Sequence, residues 1–216
     1  MIPNLIHQVF GLFPGDKLEN HPIFEECSAH NKEFSNDASY SYKLWDLETC
    51  EELIRSRFPQ YKTLWNDFTQ PVQRADFIRY CILYTYGGIY VDMDVKIIQN
   101  PEPLLKSPCF FTTWHNDARK LPYNAVMGAE GNLTLFEDII RHCYDSFYEK
   151  IQMDIYKTWT GRLVFQTTGH FMLRRVLTRH QRLSPDLHCL IPLDILKINS
   201  KKGDIITSED PFFEDW

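Results

Sequence analysis

Hydrophobic residues along the chain recur at two spacings, one typical of strands and the other typical of helices. Short apolar or alternating runs predict strands at residues 3–10, Ser41–Trp45, Cys109–Thr113 and 124–129. Helices are predicted at residues 17–35, 48–58, 133–150 and 168–177; in 48–58 and 133–150 the prediction rests on apolar positions at helical spacing. A last strand is expected at Ile205 and Ile206. Strands that alternate with helices indicate an α/β domain with a largely parallel sheet.

The strongest helix and strand signals follow one another after Pro71. Pro71 suits the first turn of a helix and Gly87 its carboxyl cap, so a helix is predicted between them. In the strand that follows, alternate side chains point to opposite faces, and one face carries Tyr90, Asp92 and Asp94. The apolar face consists of Ile89, Val91, Met93 and Val95. Ligands gather at the carboxyl ends of parallel strands, where we expect Asp92 and Asp94 to lie.

Composition narrows the class of protein. The chain has 216 residues, enough for a single domain with a substantial core. Its hydrophobic content of 44% and aromatic content of 14% indicate a globular protein rather than a disordered one. The formal net charge of −6 argues against nucleic-acid partners, and the short basic clusters Arg174-Arg175 and Lys201-Lys202 are interpreted as solvated positions.

The spacing of the cysteines and the lack of long apolar stretches indicate in which cellular compartment the protein is expected. Six cysteines are spread along the chain without a C-x-x-C pair, so free buried thiols and a reducing environment are expected. The sequence contains neither a signal-peptide pattern nor an apolar run of about 18 residues. We therefore expect a cytoplasmic protein without a membrane span, while a longer, anchored parent chain is left open.

Five polar residues at fixed spacing carry the predicted chemistry: Asp76, Arg79, Tyr90, Asp92 and Asp94. Two carboxylates beside an aromatic ring would be costly to bury without a cation. A hard divalent ion takes oxygen ligands and often completes its shell with substrate phosphates. The pattern therefore predicts a metal ion that holds a diphosphate. Arg79 would add a permanently charged hydrogen-bond donor. Asp76 would either orient the Arg79 side chain or bond directly to a sugar.

Simpler interpretations of the same residues are also open. Asp76 and Arg79 lie one helical turn apart and could form a surface ion pair, which contributes only a few tenths of a kcal/mol. Tyr90 could be an aromatic residue at the edge of the core. Asp92 and Asp94 could lie on a solvated strand face.

At these residues the sequence resembles the DXD-containing sugar transferases of glycosyltransferase family 32. That family includes initiating α-mannosyltransferases of the yeast type and bacterial capsule enzymes, and is related to the glucosyltransferase domains of clostridial toxins. The opening IPNLIHQVF resembles the family's first strand, and YKLWD its second. The likeness covers residues 2–105. It implies a GT-A fold with a single, mostly parallel central sheet flanked by helices, a nucleoside diphosphate sugar donor, expected to be a UDP-sugar, and Mn²⁺ or Mg²⁺.

The resemblance also implies a role for each residue of the pattern. Asp76 and Arg79 would contact the donor sugar, and Tyr90 would line its pocket. Asp92 would contact both the ribose and the metal, while Asp94 would ligate the metal directly.

The end of the first predicted strand would contribute Val9 and Phe10 to the nucleotide site. Phe10 stands where relatives often have Trp, and an aromatic ring there would stack on the base. A buried Phe at a strand end is the alternative. Residues 1–105 would form the nucleotide-sugar half of one domain, and residues 106–216 its acceptor side.

The second half resembles the family less closely. Asn124 lies in a family-like segment near the donor and is a candidate catalytic residue. Where relatives tend to have T-G-P this chain has T-G-H, so His170 would reach the diphosphate or the acceptor, or would be structural. Ser208 or an acid of the tail would complete the metal site, and Trp216 would cover the donor; a disordered acidic tail is the alternative.

The function implied is a metal-dependent transfer of a hexose to a hydroxyl acceptor, with retention of anomeric configuration, in glycan, capsule or viral glycoprotein synthesis. One alternative is a binding module for sugar nucleotides or glycans that has lost turnover. Another is an aspartyl phosphohydrolase, which would normally place Thr or Val where this chain has Lys96.

Overall fold

The computed structural model describes residues 1–13, 15–113, 122–155, 160–183 and 189–192. Its strands are β1 (Leu5–Val9), β2 (Ser41–Trp45), β3 (Gly88–Val91), β4 (Cys109–Thr113), β5 (Pro122–Ala129) and β6 (Cys189–Pro192). Its helices are α1 (Pro22–Asp37), α2 (Leu47–Arg57), α3 (Lys62–Asp67), α4 (Pro71–Tyr86), α5 (Thr134–Lys150), α6 (Thr160–Thr167) and α7 (His170–Leu183). Short 3₁₀ helices lie at Leu18–Asn20, Pro59–Tyr61 and Glu102–Lys106.

The six described strands form one sheet in the order β2-β1-β3-β5-β4-β6. The pairs β1–β2, β1–β3 and β4–β6 are parallel. Strand β5 is antiparallel to both of its neighbours, β3 and β4. Five of these strands therefore run in one direction, which confirms the predicted α/β fold with a mostly parallel sheet.

The sheet separates two apolar cores. On one face, Val9, Tyr90 and Met127 pack against the inner sides of helices α2 to α5 and α7. On the other face, Ile89 and Val91 pack with residues of α1 and of the 3₁₀ helix Glu102–Lys106. The opposite placement of Tyr90 and its two neighbours confirms the predicted alternation of this strand.

The turn between α4 and β3 depends on two glycines. Gly87 has φ +65°, and a Cβ there would lie 2.8 Å from both the Gly131 nitrogen and the Pro3 Cδ. Gly88 has φ +99°, and a Cβ there would lie 2.4 Å from the Leu5 carbonyl oxygen. Because only glycine tolerates both the backbone angles and this closeness, the pair lets α4 end directly against the sheet, as predicted.

The strand predicted to run through Asp94 is shorter than expected. Strand β3 ends at Val91, and the chain then turns, with the Val95 amide donating to the Asp92 carbonyl at 3.1 Å. Burial still alternates beyond the strand, since Met93 and Val95 are buried while Asp92 and Asp94 are partly exposed. Asp92 and Asp94 thus lie just past the carboxyl end of β3, where parallel sheets bind ligands.

Two elements of the second half differ from the prediction. The helix predicted at 168–177 is α7, which begins slightly later, at His170, and continues to Leu183. The preceding helix α6 was not predicted; it ends where the amides of Thr168 and Gly169 both bond to the Val164 carbonyl. Strand β6 was not predicted, because four residues have no periodicity of their own and are defined by pairing with β4. The predicted strand at Ile205 and Ile206 lies outside the described residues.

The structure bears on two expectations that concern the cellular compartment, namely the state of the cysteines and the presence of a membrane-spanning helix. The five cysteines whose side chains are described are free and buried: Cys27, Cys50, Cys81, Cys109 and Cys143. Within the described ranges, no helix combines the length and the apolar character needed to cross a bilayer.

Candidate active site at the end of strand β3

Asp76 and Arg79 lie on α4 inside the protein rather than on its surface. Each is only 5% exposed, and the Arg79 Nη2 lies 3.2 Å from the Asp76 Oδ1. The alternative of a surface ion pair is therefore wrong. Buried ion pairs are retained only where further hydrogen bonds satisfy both groups, so the surroundings of this pair matter.

The Arg79 guanidinium connects three segments of the chain. Its Nη1 lies 3.0 Å from the Asp92 Oδ1 and donates to the Asn124 carbonyl at 2.9 Å. Its Nε donates to the Ala75 carbonyl at 3.1 Å, and its carbon lies 4.7 Å from the centre of the Tyr90 ring. A planar donor with five N–H groups suits this position, since an ammonium could not reach all of these acceptors.

Asp92 is the member of this cluster that opens toward solvent. Its side chain is 28% exposed, against 7% for that of Asp76. The Tyr90 hydroxyl donates to the Asp92 Oδ1 at 2.8 Å, while the buried Gln8 amide donates to the Asp92 backbone carbonyl at 2.9 Å. The Asp92 backbone and one carboxylate oxygen are thereby fixed.

Asn124, on β5, joins the cluster through its side chain as well as its backbone. Its amide donates to the Asp76 Oδ1 at 2.8 Å and lies 3.2 Å from the Tyr80 hydroxyl. The structure thus brings together the residues that the sequence singled out as catalytic candidates, namely Asp76, Arg79 and Asn124.

Helix α4 is also bonded to the junction of α6 and α7. Thr168 donates its hydroxyl to the Asp76 Oδ2 at 3.0 Å, and the Tyr80 hydroxyl donates to the Thr168 carbonyl at 2.8 Å. The Gln73 amide donates to the Thr167 hydroxyl at 2.8 Å. All of these groups are buried.

Sequence reasoning missed most of these partners. Gln73, Asp76 and Tyr80 recur at positions i, i+3 and i+7 of α4, which is the spacing of one helix face. This polar stripe along one side of α4 was a usable signal that the helix bonds to another element. Nothing in the sequence indicated Thr168 or Gln8 as the partners.

Burial dominates the electrostatics of the cluster. It raises the pKa of Asp76 and of Asp92, and Arg79 opposes this by favouring their charged forms. Burial alone would lower the pKa of Arg79, but Asp92 and Tyr90 raise it, so the guanidinium stays charged. Two carboxylates against one guanidinium leave the site short of one positive charge, which favours binding of a cation on the open side of Asp92.

The carboxylates of Asp92 and Asp94 suit a hard cation that completes its coordination shell with water or substrate oxygens. Among the described residues, no group of three or more His, Cys, Asp or Glu side chains could enclose a metal ion. Asp92 and Asp94 are both partly exposed and only two positions apart. Mg²⁺ and similar ions are commonly held by one or two carboxylates together with water and substrate phosphates. The residues of the tail predicted to help, Ser208 and Trp216, lie outside the described residues.

The predicted nucleotide residues Val9 and Phe10 lie at the same edge of the sheet. Strand β1 pairs with β3 through His7 and Tyr90, so its carboxyl end points the same way as that of β3. The Val9 side chain is buried in the core. Phe10 is partly exposed, with its ring edge-on to His21 at 5.7 Å, and so is not the buried strand-end residue of the alternative.

His170 stands at the start of α7. It is partly buried, and its ring lies 4.6 Å from that of Phe165 and 4.4 Å from that of Phe171. Its predicted contact with a diphosphate or acceptor stays a prediction.

Comparisons with known proteins bear on this site. Residues 19–111 match the family described as a glycosyltransferase sugar-binding region containing a DXD motif. The matched range includes α4, β3 and both acids of the D-x-D sequence, Asp92 and Asp94.

Several curated relatives carry glycosyltransferase names. An uncharacterised glycosyltransferase of Acanthamoeba polyphaga mimivirus is 31% identical over 67% of this chain and 56% of its own length. A mannosyl phosphorylinositol ceramide synthase of Saccharomyces cerevisiae is 33% identical over 85% of this chain and 44% of its own length. Inositol phosphoceramide mannosyltransferase 3 of Schizosaccharomyces pombe is 34% identical over 50% of this chain and 29% of its own length. The chain spans about half the length of the first two relatives and less of the third.

Solved structures share the fold at low identity. The PaToxG glycosyltransferase superimposes with a TM-score of 0.55 and 13% identity, over 85% of this chain and 70% of that one. The ligand-free glycosyltransferase domain of the YGT toxin gives 0.52 and 10%, over 88% and 79% of the two chains. These likenesses show the fold, which is that of GT-A glycosyltransferase domains.

Proposed function

We propose that this chain, whose residues 19–111 match the family of glycosyltransferases with a DXD-containing sugar-binding region, transfers a hexose from a nucleoside diphosphate sugar to a hydroxyl acceptor. The observation that carries the proposal is the buried contact of Arg79 with both Asp76 and Asp92 at the carboxyl end of β3. Holding two carboxylates around one guanidinium at a ligand-binding edge of the sheet is costly for stability and useful for binding a sugar diphosphate.

In this proposal the buried cluster binds the donor. Asp76 accepts hydrogen bonds from Asn124 and Thr168 and faces Arg79, so it is positioned to orient groups rather than to take a proton. Arg79 and Asp76 would contact the donor sugar, and Tyr90 would hold Asp92 toward the ribose. We expect the reaction to retain anomeric configuration, with the leaving phosphate accepting the acceptor's proton.

Asp92 and Asp94 would hold a divalent ion, Mn²⁺ or Mg²⁺, together with the diphosphate. Such an ion would neutralise the negative charge that develops on the leaving diphosphate. Asp92 offers the carboxylate oxygen not bonded to Tyr90, and Asp94, partly exposed and two positions further along the chain, would supply the second ligand.

The nucleotide would lie against Phe10 at the end of β1. Its partly exposed ring supports stacking on a base, although Phe lacks the donor that an indole would add. Uridine is the base we expect. The names of the yeast relatives favour mannose as the hexose. The donors to be tested are therefore UDP-hexoses together with nucleoside diphosphate mannoses that carry other bases.

Hydrolysis of sugar nucleotides tests the proposal without knowledge of the acceptor. Release of the nucleoside diphosphate should require Mn²⁺ or Mg²⁺, stop with EDTA, and fall at least about a hundredfold in Asp94→Asn. Glu33→Gln, at an exposed position on α1, is the matched control and should keep the wild-type rate. Hydrolysis that ignores the chelator, or persists fully in Asp94→Asn, would reject the mechanism. Metal-dependent binding without any turnover would instead identify a binding module.

A further inference from the structure

The loop that follows β3 and carries Asp94 is partly buried without the support of the sheet. In the described sheet, Val91 is the last residue of β3 that pairs with a neighbouring strand. The loop beyond it nevertheless contributes to the core, since Val95 is 3% exposed and Ile97 is 7% exposed. Buried backbone N–H and C=O groups need hydrogen-bond partners, so another element has to supply them here.

Helix α1 supplies these partners through Asn31. The Asn31 amide donates to the Val95 carbonyl at 2.8 Å, and its Oδ1 accepts from the Ile97 amide at 2.9 Å. The residue is 0% exposed, so neither bond is shared with water. A carboxamide suits this position because it carries a donor and an acceptor at its end. Asn31 thereby fixes the backbone at the first and the third residue after Asp94.

Two more side chains of α1 contact the same stretch of the loop. The His30 Nε2 donates to the Ile97 carbonyl at 3.0 Å, and Glu26 forms an ion pair with Lys96. Positions four apart lie on one side of a helix, so Glu26 and His30 face the loop together. Each of the residues 95–97 is therefore bonded to α1.

Helix α1 also reaches the first acid of the D-x-D sequence, through two intermediate side chains. Gln8, whose amide donates to the Asp92 carbonyl, accepts a hydrogen bond from the Tyr42 hydroxyl at 2.8 Å. The Tyr42 oxygen lies 2.8 Å from the Ser28 hydroxyl of α1, which donates to it because the Tyr42 proton is already used. Ser28 and Asn31 are one turn apart, so a single side of α1 is connected to both ends of the loop.

We propose that Asn31 is a positioning residue for the metal ion, a role that rests on the function proposed above. It holds the loop so that Asp94 keeps one backbone position before any ion binds, with its carboxylate within reach of an ion shared with Asp92. Because Asn31 is fully buried, it acts through the loop and not by contact with the ion. Groups that orient metal ligands commonly set metal affinity, since an ion tolerates little variation in ligand distance.

A purely structural role for Asn31 predicts a different result. If its two bonds only stabilise the fold, their loss lowers the melting temperature, while the molecules that remain folded bind the ion as before. If the bonds position Asp94, the folded protein itself binds the ion more weakly. The affinity for Mn²⁺, measured at a temperature where every variant is folded, separates the two roles.

Titration of Mn²⁺ in the presence of saturating UDP, followed by the electron paramagnetic resonance signal of the free ion, measures this affinity without turnover. In Asn31→Ala the dissociation constant of Mn²⁺ should rise about tenfold to a hundredfold. Ser35→Ala is the matched control, because Ser35 is 1% exposed on the same helix and donates to the Lys32 carbonyl of α1 itself. This control should bind Mn²⁺ as the wild type does. An unchanged constant in Asn31→Ala, or an equal rise in Ser35→Ala, overturns the proposal.

A second variant, His30→Ala, keeps the proposal testable if Asn31→Ala does not fold. Because His30 is only partly buried, its removal costs the fold less. Loss of its bond to the Ile97 carbonyl should raise the Mn²⁺ dissociation constant roughly threefold to tenfold, the equivalent of one neutral hydrogen bond. Unchanged affinity in His30→Ala, when Asn31→Ala is unfolded, overturns the proposal.

Hydrolysis of sugar nucleotide at a series of Mn²⁺ concentrations gives an independent readout. Asn31→Ala should show a raised KM for Mn²⁺ with kcat within about twofold of the wild type, because saturating ion restores the site. A lowered kcat with an unchanged KM for Mn²⁺ would assign Asn31 a structural role alone and overturn the proposal.

Failure of the proposed function is seen in the wild type and not in the variants. If the wild type binds Mn²⁺ and UDP but hydrolyses no sugar nucleotide, the transferase proposal fails, while the Mn²⁺ affinities still decide the role of Asn31. If the wild type binds no Mn²⁺ in the presence of UDP, the metal site fails and the positioning role fails with it.

Discussion

The Thr168 hydroxyl donates to the Asp76 Oδ2 at 3.0 Å although the two residues are 92 positions apart. This bond joins the candidate donor-binding helix α4 to the junction from which α7 begins. Since Thr168 is fully buried, no water replaces the bond when it is lost.

Replacement of Thr168 by the isosteric Val should therefore affect both stability and turnover. We expect the free energy of unfolding to fall by about 1–2 kcal/mol, because the buried Asp76 loses a donor. Turnover of sugar nucleotide should fall about tenfold, and Thr168→Ser should restore it. Urea unfolding and initial rates measure the two effects. A Thr168→Val protein that is destabilised but fully active would show that the bond is structural alone.

Arg79→Lys should be far more harmful than the same change at the surface. A lysine keeps the charge but cannot reach Asp76, Asp92 and the Asn124 carbonyl together, so we expect a loss of about 2–3 kcal/mol in unfolding free energy. Arg141 pairs with Asp138 at the same sequence separation on an exposed part of α5 and is the matched control. Arg141→Lys should change stability by less than about 0.5 kcal/mol. Equal losses of unfolding free energy in Arg79→Lys and Arg141→Lys would show that the burial of Arg79 does not set the size of the effect.

His7 makes stability depend on pH. Burial lowers its pKa from 6.5 to about 4, while its Nε2 bonds to the Gly87 carbonyl and its Nδ1 accepts from the Trp45 indole. Between these two values the unfolded chain binds more protons than the folded one, so stability falls as the pH is lowered through this window. The loss should approach about 3 kcal/mol and level off below pH 4.

Denaturant unfolding at a series of pH values measures this contribution. His7→Gln should show a flatter dependence than the wild type between pH 6.5 and 4. The comparison of slopes cancels the titration of groups that both proteins share. Parallel curves would exclude His7 as the source.

Binding of metal and nucleotide should raise the melting temperature only when both acids are present. At a hundredfold excess of ligand over its dissociation constant, the folded state gains about 2.7 kcal/mol. Mn²⁺ with UDP should therefore stabilise the wild type and Glu33→Gln but not Asp94→Asn. Asp92→Asn should also lose the effect, and it should melt lower without ligand, because Arg79 loses a buried partner. A full shift in Asp94→Asn would remove that residue from the metal site.

Local patterns predicted most of the elements near the site. Strands β2 and β4 have the predicted bounds, and α4 begins and ends at the proline and glycine that mark it. These signals are local, since the periodicity of side chains and the backbone demands of Pro71 and Gly87 act within a few residues. The same reasoning did not predict α6, whose end at Thr168 and Gly169 rests on backbone bonds that the apolar spacing does not report.

By itself, the sequence determined the α/β class and the residues that carry charge at the end of β3, because alternation and helical spacing follow from backbone geometry. Only the tertiary structure decided that Asp76 and Arg79 are buried and that Asn124 and Thr168 bond to Asp76. The structure also placed Asn31 of α1 against the loop that carries the D-x-D acids. Such contacts join residues tens of positions apart, and their formation depends on the packing of whole elements, which no short stretch of sequence encodes.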